Sequence, residues 1–332
     1  MRRGHLLAAL VRFQSLIGLV LVFAGGIAFS PVRHGRLLFL APDNVANIVR
    51  AISETGIIAL GMTFVIITAG IDLSVGAVLG LCSVLTATLM VNLGLGILPT
   101  LALVILAGIA FGAVQGFISS RFRLEAFIVT LAGLQVARGL ALVVSHNAYI
   151  NISYGDGPGL APPAFAILGT RLFGNVVPVA TLVFLGLAVI ATLVLNTTRF
   201  GRYVFAVGGN ERAARLSGVP VNAVRIAVYA ITGFASAVAG IVHAGQFSFG
   251  SPNDGAGYEL TAIAAVVIGG TSLFGGAGTM VGTIAGSVML GALANILQLN
   301  NISAALQLLA TGAIIVLAAV LQAMVGRREG MR

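Results

Sequence analysis

One carboxylate and one guanidinium stand alone within long apolar stretches of the sequence. Asp72, in VIITAGIDLSVGAVLG, is the only charged residue between Glu54 and Arg121. Arg138 lies within FIVTLAGLQVARGLALVVS, with Gln135 one helical turn before it. A charged group in apolar surroundings must face water, an opposite charge or hydrogen-bonding backbone, because an isolated charge there is costly. These residues therefore predict either polar contacts or a polar path inside an apolar protein.

Each of the two charges has two interpretations. Asp72 is expected to cap a helix that starts near Leu73, with Ser74 beside it, since a carboxylate at a helix N-terminus accepts backbone N–H groups. Asp72 is also placed to line a polar path, because irregular backbone within a membrane is tolerated where it faces water or protein. Arg138 is either a hydrogen-bond donor on that path or a packing residue held by carbonyl groups.

The composition determines the fold class. The chain has 332 residues, of which 58% are hydrophobic and 8% charged, and its mean hydropathy is +1.08. A soluble protein has roughly a quarter charged residues, so lipid must be the solvent for most of this chain. The apolar runs are unbroken and near the length of about 20 residues that crosses a bilayer as a helix, whereas a β-barrel shows shorter, alternating segments.

We therefore predict an all-α, polytopic membrane protein that forms one transmembrane domain over residues 1–332, with about ten helices. The predicted spans are 11–29, 50–70, 73–92, 97–119, 127–145, 176–196, 223–245, 258–274, 277–297 and 304–325. Glycine-rich breaks, rather than polar loops, join the second span to the third and the eighth to the ninth. The breaks share a faint similarity, AGIDLSVG at 69–76 and GGTSLFGG at 269–276, as in transporters built from repeats.

The arginines predict the orientation, since cytoplasmic loops carry an excess of basic residues. The connections and tail that lie inside when the N-terminus is cytoplasmic contain Arg121, Arg123, Arg199, Arg202, Arg212, Arg215, Arg225, Arg327, Arg328 and Arg332. The outside loops contain Arg33, Arg36 and Arg171. Both termini are thus expected in the cytoplasm, with an external loop over 146–175 and a cytoplasmic loop over 197–222.

The cytoplasmic loop contains the most specific local pattern, NERAARLSGV. Asn210 is expected to cap a short helix whose first turn holds Glu211, and Arg212 and Arg215 share one face at a spacing of three. Gly218 and Pro220 end the helix. The pattern predicts a rigid knob at 210–218 that points into the cytoplasm, or a basic loop that lies on anionic headgroups.

Several kinds of site are excluded or disfavoured. All 18 basic side chains are arginines, so the chain lacks the lysine of an ordinary nucleotide-binding P-loop. No Cys/His cluster has metal-ligand spacing, and the four histidines are scattered, so neither a metal, a cofactor nor an enzymatic centre is expected. The net charge of +9 is explained better by arginines in the loops between membrane spans than by binding to nucleic acid. Gly278, Gly282 and Gly286, four residues apart, predict close helix packing.

Four motifs resemble the permease subunits of ribose-type monosaccharide ABC importers, over about residues 45–325. In the family's order they are GMTFVIITAGIDLSVGAVLG at 61–80, AFIVTLAGLQVARGLALVVS at 126–145, RFGRYVFAVGGNERAARLSGV at 199–219 and LTAIAAVVIGGTSLFGGAGTMVGTIAG at 260–286. The form GIDLSVG separates the sugar-type members from the related branched-chain amino-acid permeases.

The resemblance implies a permease in the inner membrane of a bacterium that works by alternating access. It implies a second permease subunit, identical or similar, a periplasmic sugar-binding protein and a separate ATPase subunit. Coupling to the ATPase is expected through Asn210, Glu211, Arg212, Ala213, Ala214, Arg215 and Gly218. The substrate pathway is expected at Asp72, Ser74, Gln135, Arg138 and Ser272.

Two alternatives differ in substrate or energy source. A permease for branched-chain amino acids is disfavoured by GIDLSVG. A proton-coupled secondary transporter, with Asp72 or Glu259 as proton carrier, would need no ATPase, so its uptake would collapse with a protonophore and survive ATP removal.

Overall fold

The computed structural model describes residues 14–33, 35–313, 316 and 320. We name its α-helices α1 to α12 in chain order. They are α1 Gln14–Ala28, α2 Pro42–Ile67, α3 Val75–Ala87, α4 Ile97–Phe122, α5 Ala126–Val144, α6 Val179–Thr197, α7 Arg199–Gly209, α8 Glu211–Leu216, α9 Val221–Phe247, α10 Tyr258–Ile268, α11 Met280–Leu299 and α12 Ala304–Ala313. A π-helical turn, Thr88–Asn92, extends α3, and a 3-10 helix covers Pro163–Gly169.

Very short strands form three antiparallel pairs among the described residues. β1 (Val32–Arg33) pairs with β2 (Arg36–Leu37), β3 (Ile150–Asn151) with β6 (Phe249–Gly250), and β4 (Arg171–Leu172) with β5 (Val177–Pro178). Most of these strands, with the 3-10 helix, lie in or next to the predicted external loop 146–175. This loop is therefore an ordered cap, and the β3–β6 pair ties it to the chain that follows α9.

The all-α, polytopic fold is confirmed. Seven helical stretches of the described chain are long and apolar enough to cross a membrane. Three shorter apolar helices, Gly18–Ala28, Tyr258–Ile268 and Ala304–Ala313, lie where the other predicted spans fall. The predicted spans 11–29 and 304–325 extend beyond the described residues, so the count of ten remains a prediction.

The predicted span 258–274 was wrong in its extent. Helix α10 has 11 residues and ends at Ile268, so it is about 16 Å long, or half of a hydrocarbon core of about 30 Å. Before it, residues 248–257 hold only the short β6, and Ser248, Gly255 and Gly257 have positive φ. The chain thus enters the bundle as irregular backbone, which a membrane protein tolerates only where protein or water surrounds it.

Small residues allow α9 to lie against its neighbours at close range. A Cβ atom at Gly112 of α4 would collide with the carbonyl oxygen of Tyr229, and one at Gly116 with the Ile226 backbone. Gly282 and Gly286 of α11 abut the backbone of α10 in the same way, as their spacing predicted. The stripe on α4 has the same four-residue spacing but was missed from the sequence.

We predict that Gly112→Ala lowers the stability of the protein whereas Gly186→Ala does not. The new methyl group would meet backbone at Gly112 but open space at Gly186. Overpacking costs about 1–3 kcal/mol, while alanine is a better helix former than glycine by about 1 kcal/mol. Thermal unfolding in detergent measures both effects. Equal melting temperatures for the two variants would contradict this account of the α4–α9 contact.

Candidate functional site

The first helix break, residues 68–74, is held by hydrogen bonds from three neighbouring helices. The Ile71 carbonyl accepts from Thr130 Oγ1 at 3.2 Å and from Tyr229 Oη at 3.5 Å. The Ser74 hydroxyl accepts from Gln115 Nε2 at 2.9 Å. Polar groups of the broken backbone thereby find hydrogen-bond partners inside the protein, which is necessary because lipid offers none.

Asp72 is buried in this break and is bonded to Ser74, just ahead of the next helix. Its Oδ1 accepts the Ser74 backbone N–H at 2.9 Å and the Ser74 hydroxyl at 2.7 Å. The helix starts at Val75 rather than near Leu73, and Ser74 is its N-cap residue without a side-chain cap bond. Asp72 therefore closes a turn ahead of the helix. The predicted bond from Asp72 to a backbone N–H is therefore present, since an N-cap side chain also accepts two or three residues onward, although the helix itself starts at Val75.

The second break, residues 269–279, lies against the first. The Gly276 N–H donates to the Ile67 carbonyl at 2.9 Å, and Thr63 and Thr283 bond through their hydroxyl groups at 2.7 Å. Ser272, the predicted pathway residue here, accepts the Phe274 N–H at 3.2 Å and is half-buried. The sequence similarity between the two breaks thus corresponds to a direct contact.

The predicted loop 197–222 is mostly helical, and its first helix ends at the two breaks. A Cβ atom at Gly208, near the end of α7, would collide with the Ile67 carbonyl and with the Gly276 nitrogen. Only a residue without a side chain fits there. Three segments that are far apart in sequence therefore meet backbone to backbone: the end of α2, the second break and the end of α7.

The short helix α8 follows directly and has the predicted knob geometry. The Asn210 side chain accepts the Ala213 N–H at 3.0 Å, and Gly218 ends the helix with a φ of +83°. Arg212 and Ala213 are exposed, whereas Ala214 is buried. Leu216, the last residue of this helix, is 90% exposed.

Glu211 anchors the knob through two ion pairs, of which the sequence predicted neither. Its carboxylate binds Arg215 at 3.1 Å and Arg225, on α9, at 2.7 Å. The contact with Arg225 fixes α8 against a spanning helix. A polar pocket of about 660 Å³ opens beside this anchor and reaches Gly70 and Tyr229 at the first break.

Gln135 and Arg138 lie on the same helix but differ in exposure and in bonding. Gln135 is exposed on α5, and its side chain has no hydrogen bond to the described part of the chain. Arg138 is half-buried, and its Nη1 donates to the carbonyls of Pro252 and Asp254, the latter at 3.1 Å. The interpretation of Arg138 as an arginine held by carbonyls is borne out, with segment 248–257 as the acceptor.

A buried ionic network was missed because its members are far apart in sequence. Nδ1 of His243 lies 2.8 Å from Glu54 Oε2, and its Nε2 lies 3.2 Å from Asp254 Oδ1, in a less well aligned ion pair. Asp254 Oδ2 also accepts the Ser83 hydroxyl at 2.7 Å. The network joins α2, α3 and α9 to segment 248–257. Single charges in apolar spans are the signal that could have pointed to it.

The network lacks the features of a catalytic centre. Glu54, His243 and Asp254 are each at most 9% exposed, and their bonds are directed to one another and to neighbouring groups of the bundle. The described residues contain no group of His, Cys, Asp and Glu with the geometry of a metal site. The arrangement instead clamps an irregular segment within the bundle, where partnered charges are tolerated.

Comparison with known proteins agrees with this architecture. Residues 44–319 match the family described as the permease component of branched-chain amino acid transport systems. The chain belongs to this permease family. Relatives include the ribose import permease of Haemophilus influenzae, 40% identical over 94% of this chain and 93% of the relative. The Bacillus subtilis ribose import permease is 41% identical over 85% of each chain.

A further relative is the L-arabinose transport system permease of Escherichia coli, 38% identical over 84% of this chain and 81% of the relative. No solved structure matches the chain. The relatives named here are sugar permeases, although the family's description refers to branched-chain amino acids. The permease is thus a multi-pass membrane protein of a transport system.

We predict that His243→Ala destabilises the permease strongly. Without the imidazole, the buried carboxylates of Glu54 and Asp254 lose the group between them, and breaking a buried ion pair costs about 3–5 kcal/mol. Unfolding in detergent measures the loss. His146→Ala, at an exposed histidine, is the control and should change stability little.

Neutralising the carboxylates provides a second test of the same network. Adding Glu54→Gln and Asp254→Asn to His243→Ala should recover part of the lost stability, since buried uncompensated charge is then removed. A single His243→Ala variant as stable as the His146→Ala control would contradict the clamp.

Proposed function

We propose that the permease carries a monosaccharide into the cell by alternating access, driven by a separate ATPase subunit that binds the knob 210–218. The observation that carries the proposal is the meeting of the α7 end with both helix breaks. Gly208 lies against Ile67 and Gly276, and α8 begins three residues after it. A displacement of the knob would therefore be transmitted to the two helix breaks through the end of α7.

The surface of the knob suggests the chemistry of its partner. Leu216 and Arg212 are exposed, so a complementary groove would have an apolar floor and acidic groups at its rim. Glu211 is already paired with Arg225 and Arg215. It therefore holds the knob in place, while Arg212 and Leu216 face the ATPase.

The distribution of arginines supports the orientation. In the proposed topology the knob and both termini face the cytoplasm, because the basic residues lie on that side. The ordered cap over 146–175 then faces outward, where a sugar-binding protein would dock. A second permease subunit, a copy of this chain or a similar one, would complete the translocation path.

The sugar relatives support the choice of substrate class. Ribose and L-arabinose appear in the names of relatives that align over most of this chain, and both are neutral monosaccharides. Asp72 is engaged by Ser74, which leaves it poorly suited as a proton carrier. The proton-coupled alternative is therefore disfavoured.

Uptake of labelled pentoses and hexoses into proteoliposomes tests the proposal. The vesicles would hold this chain with the ATPase and sugar-binding protein encoded beside it. We expect uptake that needs ATP on the cytoplasmic face and persists with a protonophore. Uptake that ignores ATP and follows a proton gradient would overturn the proposal.

We predict that Gly218→Val uncouples ATP hydrolysis from transport. A β-branched residue is strained at the φ of +83°, because such residues rarely adopt left-handed backbone. The end of α8 should distort and uptake should fall at least about tenfold, the effect of roughly 1.4 kcal/mol. The permease should still reach the membrane.

Ser217→Val is the matched control for this variant. It introduces the same side chain one residue earlier, where φ is −82°, so the helix end should be kept. Uptake and ATP hydrolysis are measured for both variants in the same vesicles. Normal uptake by Gly218→Val would rule out the knob as the coupling element.

A further inference from the structure

Four polar residues and one glycine lie together beside the midpoint of the spanning helix α5. Gln135 is the tenth of 19 residues in α5, which places it near the midplane, and Gly139 follows one turn later on the same exposed face. Asn253 of segment 248–257 is also exposed, while Arg138 and Glu259 are half-buried. We call these five residues the midplane patch.

Two glycines of α3 hold the charged members of the patch close together. A Cβ atom at Gly80 would meet the Arg138 guanidinium, and one at Gly76 would meet the Glu259 carboxylate. These glycines are one helical turn apart, a rise of about 6 Å. Helix α3 is thus the floor of the patch, with α5 on one side and residues 253–259 on the other.

The polar groups of the patch are not satisfied by the chain itself. Both charged residues are described, and no ion pair joins them. Among the described residues, the amides of Gln135 and Asn253 and the carboxylate of Glu259 have no side-chain hydrogen bond. Lipid tails offer none either, so exposed polar groups at this depth must face water or another polar surface.

We propose that the midplane patch is the monosaccharide-binding wall of the translocation path and that a second permease subunit closes the path from the other side. The proposal rests on the proposed function and specifies where the substrate makes contact. This set of polar groups suits a neutral sugar: sugar hydroxyls accept from the guanidinium, donate to the carboxylate, and do both with the amides.

The patch also explains how its arginine is positioned. The carbonyls of Pro252 and Asp254 hold Nη1 of Arg138, and the carboxylate of Asp254 is anchored by His243 and Ser83. The buried network thereby fixes the guanidinium at mid-depth. Its remaining N–H groups are left for a ligand. Gly139 keeps the path open, since its surroundings within 4 Å are empty.

Cysteine labelling tests whether the patch faces water. In a Cys82→Ala background, cysteines at Gln135 or Asn253 are treated with a charged, water-borne methanethiosulfonate reagent. A cysteine at Val189 is the control, since Val189 is 60% exposed and lies near the middle of the 19-residue α6. We expect labelling at the patch to be at least about tenfold faster than at this control, because the thiolate reacts only where water reaches it.

Protection by ligand tests what the patch binds. Ribose should slow labelling at positions 135 and 253, whereas leucine should not. Labelling as slow as at position 189, with and without ATP and the ATPase, would overturn the proposal, and so would protection by leucine. Labelling needs no transport, so a protected patch combined with proton-driven uptake would refute the proposed function and leave the patch standing.

A steric block provides an independent test. Gly139→Leu should reduce uptake at least about tenfold by filling the path, while ATP hydrolysis stimulated by the binding protein continues. Gly186→Leu places the same side chain in open space on α6 and should stay within about twofold of wild type. Wild-type uptake by Gly139→Leu would overturn the proposal.

Discussion

Hydrocarbon chains cannot hydrogen-bond to the backbone of a broken helix, and this permease has two breaks within its bundle. Each therefore has to be satisfied by protein, and the structure satisfies them partly with each other. The Gly276 N–H donates to the Ile67 carbonyl at 2.9 Å, and Gly208 of α7 fits against both. The cytoplasmic helices of the proposed topology are consequently built into the breaks. The proposed mechanical coupling between them would use the same contacts that make the breaks tolerable.

The same constraint explains the ionic network. Residues 248–257 carry irregular backbone into the bundle, where α10 continues as a helix of 11 residues. Asp254 ties this segment to α3 and α9, and its carbonyl binds Arg138 of α5. Buried charges seldom stabilise a protein on balance. Here they fix a segment that carries Asn253 and leads into the helix of Glu259, two residues of the proposed sugar-binding wall.

The polar residues of the permease consequently fall into two regions. Asp72, Ser74 and Ser272 belong to the contacting breaks beside α7, where their bonds are directed within the protein. Gln135 and Arg138 belong to the midplane, where part of their hydrogen-bonding capacity is unused. This division suits the proposed alternating access, in which one region would move with the ATPase while the other would hold the substrate.

The sequence by itself determined the class of the protein. Long apolar runs with 8% charged residues leave few solutions other than membrane helices, because each helix satisfies its own backbone. The ends of α8 could also be predicted from the sequence. Asn210 caps this helix and Gly218 ends it, and both effects depend on residues within one turn. The four motifs that resemble sugar permeases indicated the family for a similar reason, being contiguous.

Only the tertiary structure decided which distant residues meet. Glu54, His243 and Asp254 are separated by up to 200 positions along the chain, and periodicity carries no information about such pairs. The start of α10 at Tyr258 follows the left-handed residues of segment 248–257. The start of α3 at Val75, rather than near Leu73, follows the turn that Asp72 and Ser74 close. Whether Gln135 faced inward with Arg138 was decided by the packing of α5 on α3. These features depend on contacts between helices across the bundle, which the local propensities of the sequence do not specify.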